Sequence, residues 1–96
     1  MRLSWRERVD IRDSAVFLVL CTRHWLTDPR AQAQAQYARQ AQKPFLVALF
    51  PDVRLPEDAF VGVQDLEIVR MESADPEVVG KQVLAALQRR LESEGA

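Results

Sequence analysis

Two short runs, Ala15 to Cys21 and Phe45 to Phe50, are apolar at every position and show no alternation. A strand with one face in water alternates apolar and polar residues, whereas a strand covered on both faces has no need to. Unbroken runs of this kind are the habit of parallel sheets held between helix layers. Parallel neighbours also need a crossover between them, usually a helix. The chain supplies one from Arg30 to Gln42.

That middle segment is the one place where the pattern alone is ambiguous. Ala31 to Gln36 alternates Ala and Gln with period two, as a strand would. Ala and Gln are good helix formers and poor strand formers, and Asp28-Pro29 is an N-cap followed by proline at the first helical position. The segment therefore reads as helix, with Ala31, Ala35 and Ala38 as a small face that can lie close to a sheet and Gln34 beside it. Lys43-Pro44 ends it.

The rest of the order follows from local signals. Ser4-Trp5-Arg6-Glu7 has the form of a capping box, opening a short helix from about Trp5 to Arg12 with Trp5 and Val9 on one face. Thr22 to Pro29 is polar and reads as loop, and Pro51 to Gln64 as a longer one. Leu66 to Met71 alternates, as expected of a strand exposed on one side or at a sheet edge, with Glu67 on its polar side. Asp75-Pro76-Glu77 opens a last helix through Leu91, with Val79, Val83, Leu84, Leu87 and Leu91 as its buried stripe and Arg89 and Arg90 near its C-terminal end. The tail from Glu92 is polar. Helix, strand, helix, strand, strand, helix predicts a single domain over residues 1–96: an α/β fold with an open, mostly parallel sheet and helices on both faces.

Composition narrows the function classes. Net charge is −1 with basic residues scattered, so no basic face for nucleic acid is expected. The single cysteine, Cys21, rules out an internal disulfide, reads as a buried small residue, and with one histidine, His24, makes a metal site unexpected. No apolar run approaches the ~20 residues that cross a bilayer, and no signal peptide pattern is present, so no membrane partner and a cytoplasmic location are expected.

The residues from Asp13 onward resemble the second half of a TIR domain. In that family an apolar strand ends in Leu-Ser, an aromatic-Leu pair follows in the loop, a catalytic glutamate lies twelve residues after the Ser on a helix, and an Ala comes four residues later. Here Thr22 stands in the Ser position, Trp25-Leu26 is the aromatic-Leu pair, Gln34 lies twelve residues beyond Thr22, and Ala38 four beyond that. Lys43-Pro44 opens the next strand, and Leu55-Pro56 matches a common Leu-Pro of the following loop. Lys43-Pro44-Phe45 is also the tripeptide of phospho-receiver domains, but there it follows a strand, and here it precedes one.

The resemblance implies a flavodoxin-like, TIR-like half-domain lacking the first two strands, with strands three, four and five present. It implies that Thr22, Trp25 and Gln34 mark the cofactor-binding position. In TIR enzymes that cleave NAD, the glutamate carboxylate is thought to stabilise positive charge developing on the ribose. Gln34 has its shape without its charge, so it can bind hydroxyls but cannot act as the anion. No catalytic residue and no cofactor are therefore expected, and a degenerate NAD-binding or NAD-cleaving site is the alternative. The expected function is protein–protein interaction, by self-association as a homodimer or docking to another TIR-like protein. Val16, Leu18, Leu20 and Trp5 are the expected interface, because strand Ala15–Cys21 would carry an open edge and an uncovered face.

Overall fold

The computed structural model describes residues 2–94. Its elements are α1 (Trp5–Asp13), β1 (Phe17–Cys21), α2 (Arg23–Thr27), α3 (Pro29–Gln40), β2 (Phe45–Leu49), β3 (Leu66–Arg70) and α4 (Pro76–Glu94). The strands form one open sheet in the order β1-β2-β3, both pairings parallel, with Phe17 opposite Phe45 and Phe45 opposite Leu66. The expected α/β architecture is the observed one. β1 begins at Phe17 rather than Ala15, its amide donating to the Pro44 carbonyl at 2.8 Å. The residues that would pair with its earlier part are Lys43 and Pro44, which precede β2, and proline has no N–H to give.

All five β2 residues are buried, which places β2 at the centre with cover on both faces. One face carries Val19, Cys21, Phe45, Val47 and Leu49, packed against Ile11 of α1 and Ala35 and Ala38 of α3. The other carries Ala48, Phe50, Val69 and Met71, packed against Val79 and Val83 of α4. Helices thus lie on both faces, but not evenly. α1, α2 and α3 sit over β1 and β2; α4 sits beneath β2 and β3.

The helix ends follow their chemistry. Ser4 and Glu7 complete the capping box, the Glu7 amide donating to Ser4 Oγ and the Ser4 amide to Glu7 Oε1, each at 3.2 Å. Asp28 caps α3 through the Arg30 amide at 3.0 Å, and Asp75 Oδ1 accepts from the Glu77 amide at 3.0 Å at the start of α4. α3 ends at Gln40, and Gln42, whose φ is 58°, turns the chain away before Lys43-Pro44. The Gln42 and Lys43 amides donate back to the Arg39 and Ala38 carbonyls, each at 3.0 Å, which satisfies two otherwise orphaned groups.

The segment joining β2 to β3 contains no regular helix, yet it covers the sheet as one would. Phe60 enters the core beside Phe45, ring centroids 6.0 Å apart, and beside Trp25 at 5.7 Å. Gly62 holds φ +88°, a backbone conformation that favours glycine.

Three expectations are corrected. The loop Thr22–Pro29 contains α2, capped by Thr22. On α4, Leu84 and Leu91 are exposed, and Ala86 is fully buried instead. On β3, the apolar Leu66 and Ile68 face solvent, while Glu67 lies under α4 against Arg90 at 3.3 Å. Register explains the last: Leu66 and Ile68 pair with Phe45 and Val47 and share their face, but no helix reaches that far across.

Val47→Asp should cost several kcal/mol, because it leaves an unpaired carboxylate in a site with no exposure. Ile68→Thr, at an exposed position on the same face, should cost less than ~1 kcal/mol. Thermal melting of the two variants checks this; equal small shifts would contradict a buried central β2.

Candidate functional site

The residues singled out from sequence fall in two separate places. Thr22, Trp25 and Gln34 lie on the face of the sheet covered by α1 to α3, and each is committed to a structural partner. Thr22 Oγ1 accepts from the Trp25 amide at 3.2 Å as the cap of α2. The Trp25 ring packs on Phe60. Gln34 donates through Nε2 to Glu7 Oε2 at 2.8 Å.

Glu7 is the hub of that contact. Its carboxylate also accepts from Arg30, Nη2 to Oε1 at 2.6 Å and Nε to Oε2 at 3.2 Å, a two-pronged pairing. The cluster ties α1 to α3 across a gap of more than twenty residues. The hydrogen bond from Gln34, with those from the Ser4 amide and from Arg30, lowers the Glu7 pKa from an ordinary 4.5 to about 2. Sequence reasoning put no carboxylate beside Gln34; the capping box named Glu7, but nothing local joined it to α3. His24 lies 3.6 Å from Asp28 Oδ2 on the exposed side of α2. Burial raises the pKa of the Cys21 thiol, in keeping with an inert packing residue.

A hollow of about 350 Å³ opens beside the C-terminal ends of β2 and β3, lined by Leu49, Val53, Arg54, Leu55, Ile68 and Arg70. Neither Thr22, Trp25 nor Gln34 lines it. Among the described residues, no group of His, Cys, Asp or Glu is placed to hold a metal ion, and no helix is long and apolar enough to cross a membrane.

The second place is the opposite face of the sheet, and here three of the four expected interface residues come together. The side chains of Leu18 and Leu20 alternate away from Val19 and Cys21 and point to the α4 side. α4 does not reach them, so they stand 39% and 47% exposed. With Phe50 and with Ala74, Pro76, Val79, Gly80 and Val83 they enclose a trough of about 410 Å³. Val16 adjoins it in a second hollow of about 160 Å³ with Ala15, Leu87, Arg90 and Leu91. Trp5 is not part of this surface. It is 73% exposed on α1, on the far side of the sheet.

The edge of β1 is open as well. The Phe17 amide and the Cys21 carbonyl bond toward β2, so by alternation the backbone groups of Leu18 and Leu20 point outward. Thr22 returns one bond to the Leu20 carbonyl at 3.0 Å. No charged residue, proline or bulge guards this edge, the usual means of blocking a new strand or partner.

Compared with known proteins, the chain matches no family model, no curated protein and no solved structure.

The lowered Glu7 pKa has a sign. A carboxylate ionising more readily in the folded chain adds stability above pH ~4.5 that is lost as pH falls toward 2. The melting temperature should fall over that window, and Glu7→Gln should flatten the fall. Parallel slopes for the two proteins would contradict the cluster.

Proposed function

We propose that this chain is a protein–protein interaction module of TIR-like type, acting by self-association or by docking onto another TIR-like domain. One observation carries the reading: the apolar floor formed by Leu18 and Leu20 lies open beside α4, within a trough of about 410 Å³. Contiguous apolar surface of this kind marks contact sites in folded proteins. The unguarded backbone edge of β1 runs along the same strand, which adds a second means of engaging a partner.

The alternative is a degenerate site that binds or cleaves NAD. It has less support. The amide of Gln34, the hydroxyl of Thr22 and the ring of Trp25 each hold a contact within the fold, which accounts for them without a ligand. Glu7 is the nearest anion to Gln34, and Arg30 and Gln34 already bond both of its oxygens.

Light scattering at micromolar concentration tests the main reading. Either the chain alone should scatter with a mass above 11.0 kDa, or its mixture with a TIR domain should contain a species heavier than either component, and Leu20→Lys should abolish that heavier species. A monomer in both conditions would contradict the proposal. Incubation with NAD, followed by chromatography, should show no nicotinamide release above background. Robust release that is abolished by Gln34→Ala would reverse the order of the two readings.

A further inference from the structure

The hollow of about 350 Å³ at the C-terminal ends of β2 and β3 draws its lining from three segments. Leu49 ends β2, Ile68 and Arg70 lie in β3, and Val53, Arg54 and Leu55 belong to the loop between the two strands. Register brings the strand residues to one face: Leu49 pairs with Arg70, and Ile68 stands two residues earlier on the same side. No helix covers this part of β3, so Ile68 is 41% exposed and the loop residues supply the rest of the lining.

That lining divides by chemistry. Leu49, Val53, Leu55 and Ile68 are apolar, Arg54 and Arg70 are cationic, and no carboxylate is among them. Elsewhere in the fold, guanidiniums that tie elements together have their counter-charge built in, Arg30 from Glu7 and Arg90 from Asp65 and Glu67. Arg54 and Arg70 make no ion pair among the described residues. Asp52, the acid nearest to Arg54 in sequence, is engaged by Arg23 at 3.2 Å. Two like charges on one concavity repel, and an anion bound to both removes that repulsion.

We propose that this hollow binds a small organic anion, whose carboxylate or phosphate head is held by Arg54 and Arg70 and whose apolar body rests on Leu49, Val53, Leu55 and Ile68. A guanidinium presents paired N–H donors that match two oxygens of either head. The apolar body covers the part of Ile68 that the helix layer leaves in water, which adds a hydrophobic contribution to the ionic one. The volume lies near the lower end of the usual ~300–1,000 Å³ of ligand pockets, so the ligand is compact. The site faces the α1 to α3 side of the sheet, opposite the trough, and does not depend on the interaction reading above.

Titration of the isotope-labelled full chain tests the assignment, with the Ile68 methyl and the Arg54 and Arg70 side-chain N–H resonances as reporters. The probes are octanoate, octyl phosphate, octanol and inorganic phosphate, all kept below the concentration at which they form micelles. At least one of the two amphiphilic anions should bind and shift all three reporters together, and the one that binds identifies the head. Octanol and inorganic phosphate each carry half of the ligand and should bind at least about tenfold more weakly. Arg54→Gln and Arg70→Gln should each weaken the anion at least about threefold and leave octanol unaffected. Both arginines are exposed, so unchanged melting of each variant without ligand confirms that the fold is intact. Binding of neither anion overturns the proposal, as does either control binding as tightly as the anions. Shifts centred on Leu18 and Leu20 instead, or an affinity that either arginine variant leaves unchanged, overturn it as well.

Discussion

The side chains of β1 alternate between two faces of the sheet, and at β1 only one of those faces is covered by helices. Val19 and Cys21 are sealed beneath α1 to α3, while Leu18 and Leu20 stand on the side that α4 leaves uncovered. The chain cannot rotate β1 to hide them without exposing the other set, because a strand's period is two. Fully burying a leucine is worth roughly 1.5–3 kcal/mol relative to leaving it exposed, so two half-covered leucines forgo a large fraction of that each. In a domain whose whole stability is of order 5–15 kcal/mol, that is a real cost. A partner that covers the floor recovers it, which links the uneven helix layers to the proposed function.

Polar contacts between distant elements hold the uneven layers in place. Glu7 joins α1 to α3 through Arg30 and Gln34. At the other side Arg90, its side chain mostly enclosed, pairs with Asp65 at 2.9 Å and Glu67 at 3.3 Å, fixing α4 under β3. This second cluster matters for the trough, because it sets how far α4 lies from β1. The guanidinium is desolvated there, but its two carboxylate partners outweigh that loss and raise its pKa above the ordinary arginine value.

Much of the fold was legible because it is written in local rules. Apolar runs without alternation marked β1 and β2, the capping box marked α1, and Asp-Pro pairs marked the starts of α3 and α4. The tight face of α3 was legible too: Ala35 and Ala38 are buried as their size and spacing required. What escaped depends on where elements meet. Periodicity showed that one side of α4 is apolar, but the apolar arc is wider than the sheet contact. Which residues turn inward was settled by docking, and Leu84 and Leu91 were left outside. The five-residue α2 is too short to carry a stripe, so its polar sequence read as loop. Gln34 read as a ligand position through a resemblance, yet its nearest partner, Glu7, lies 27 residues away in sequence. Trp5, expected to share the interface with β1, lies on the other side of the sheet, which no local pattern could reveal.

The central claim is that the α4-side face of β1 is a contact surface. Methyl relaxation by a soluble gadolinium chelate, measured on the unmodified chain over rising protein concentration and in its mixture with a TIR domain, addresses it directly. The account predicts that the Leu18 and Leu20 methyls become shielded in one condition or the other, while Leu66 and Ile68 stay accessible throughout. Unchanged accessibility of Leu18 and Leu20 both in the chain alone up to millimolar concentration and in its mixture with a TIR domain, or shielding confined to Leu66 and Ile68, would contradict it.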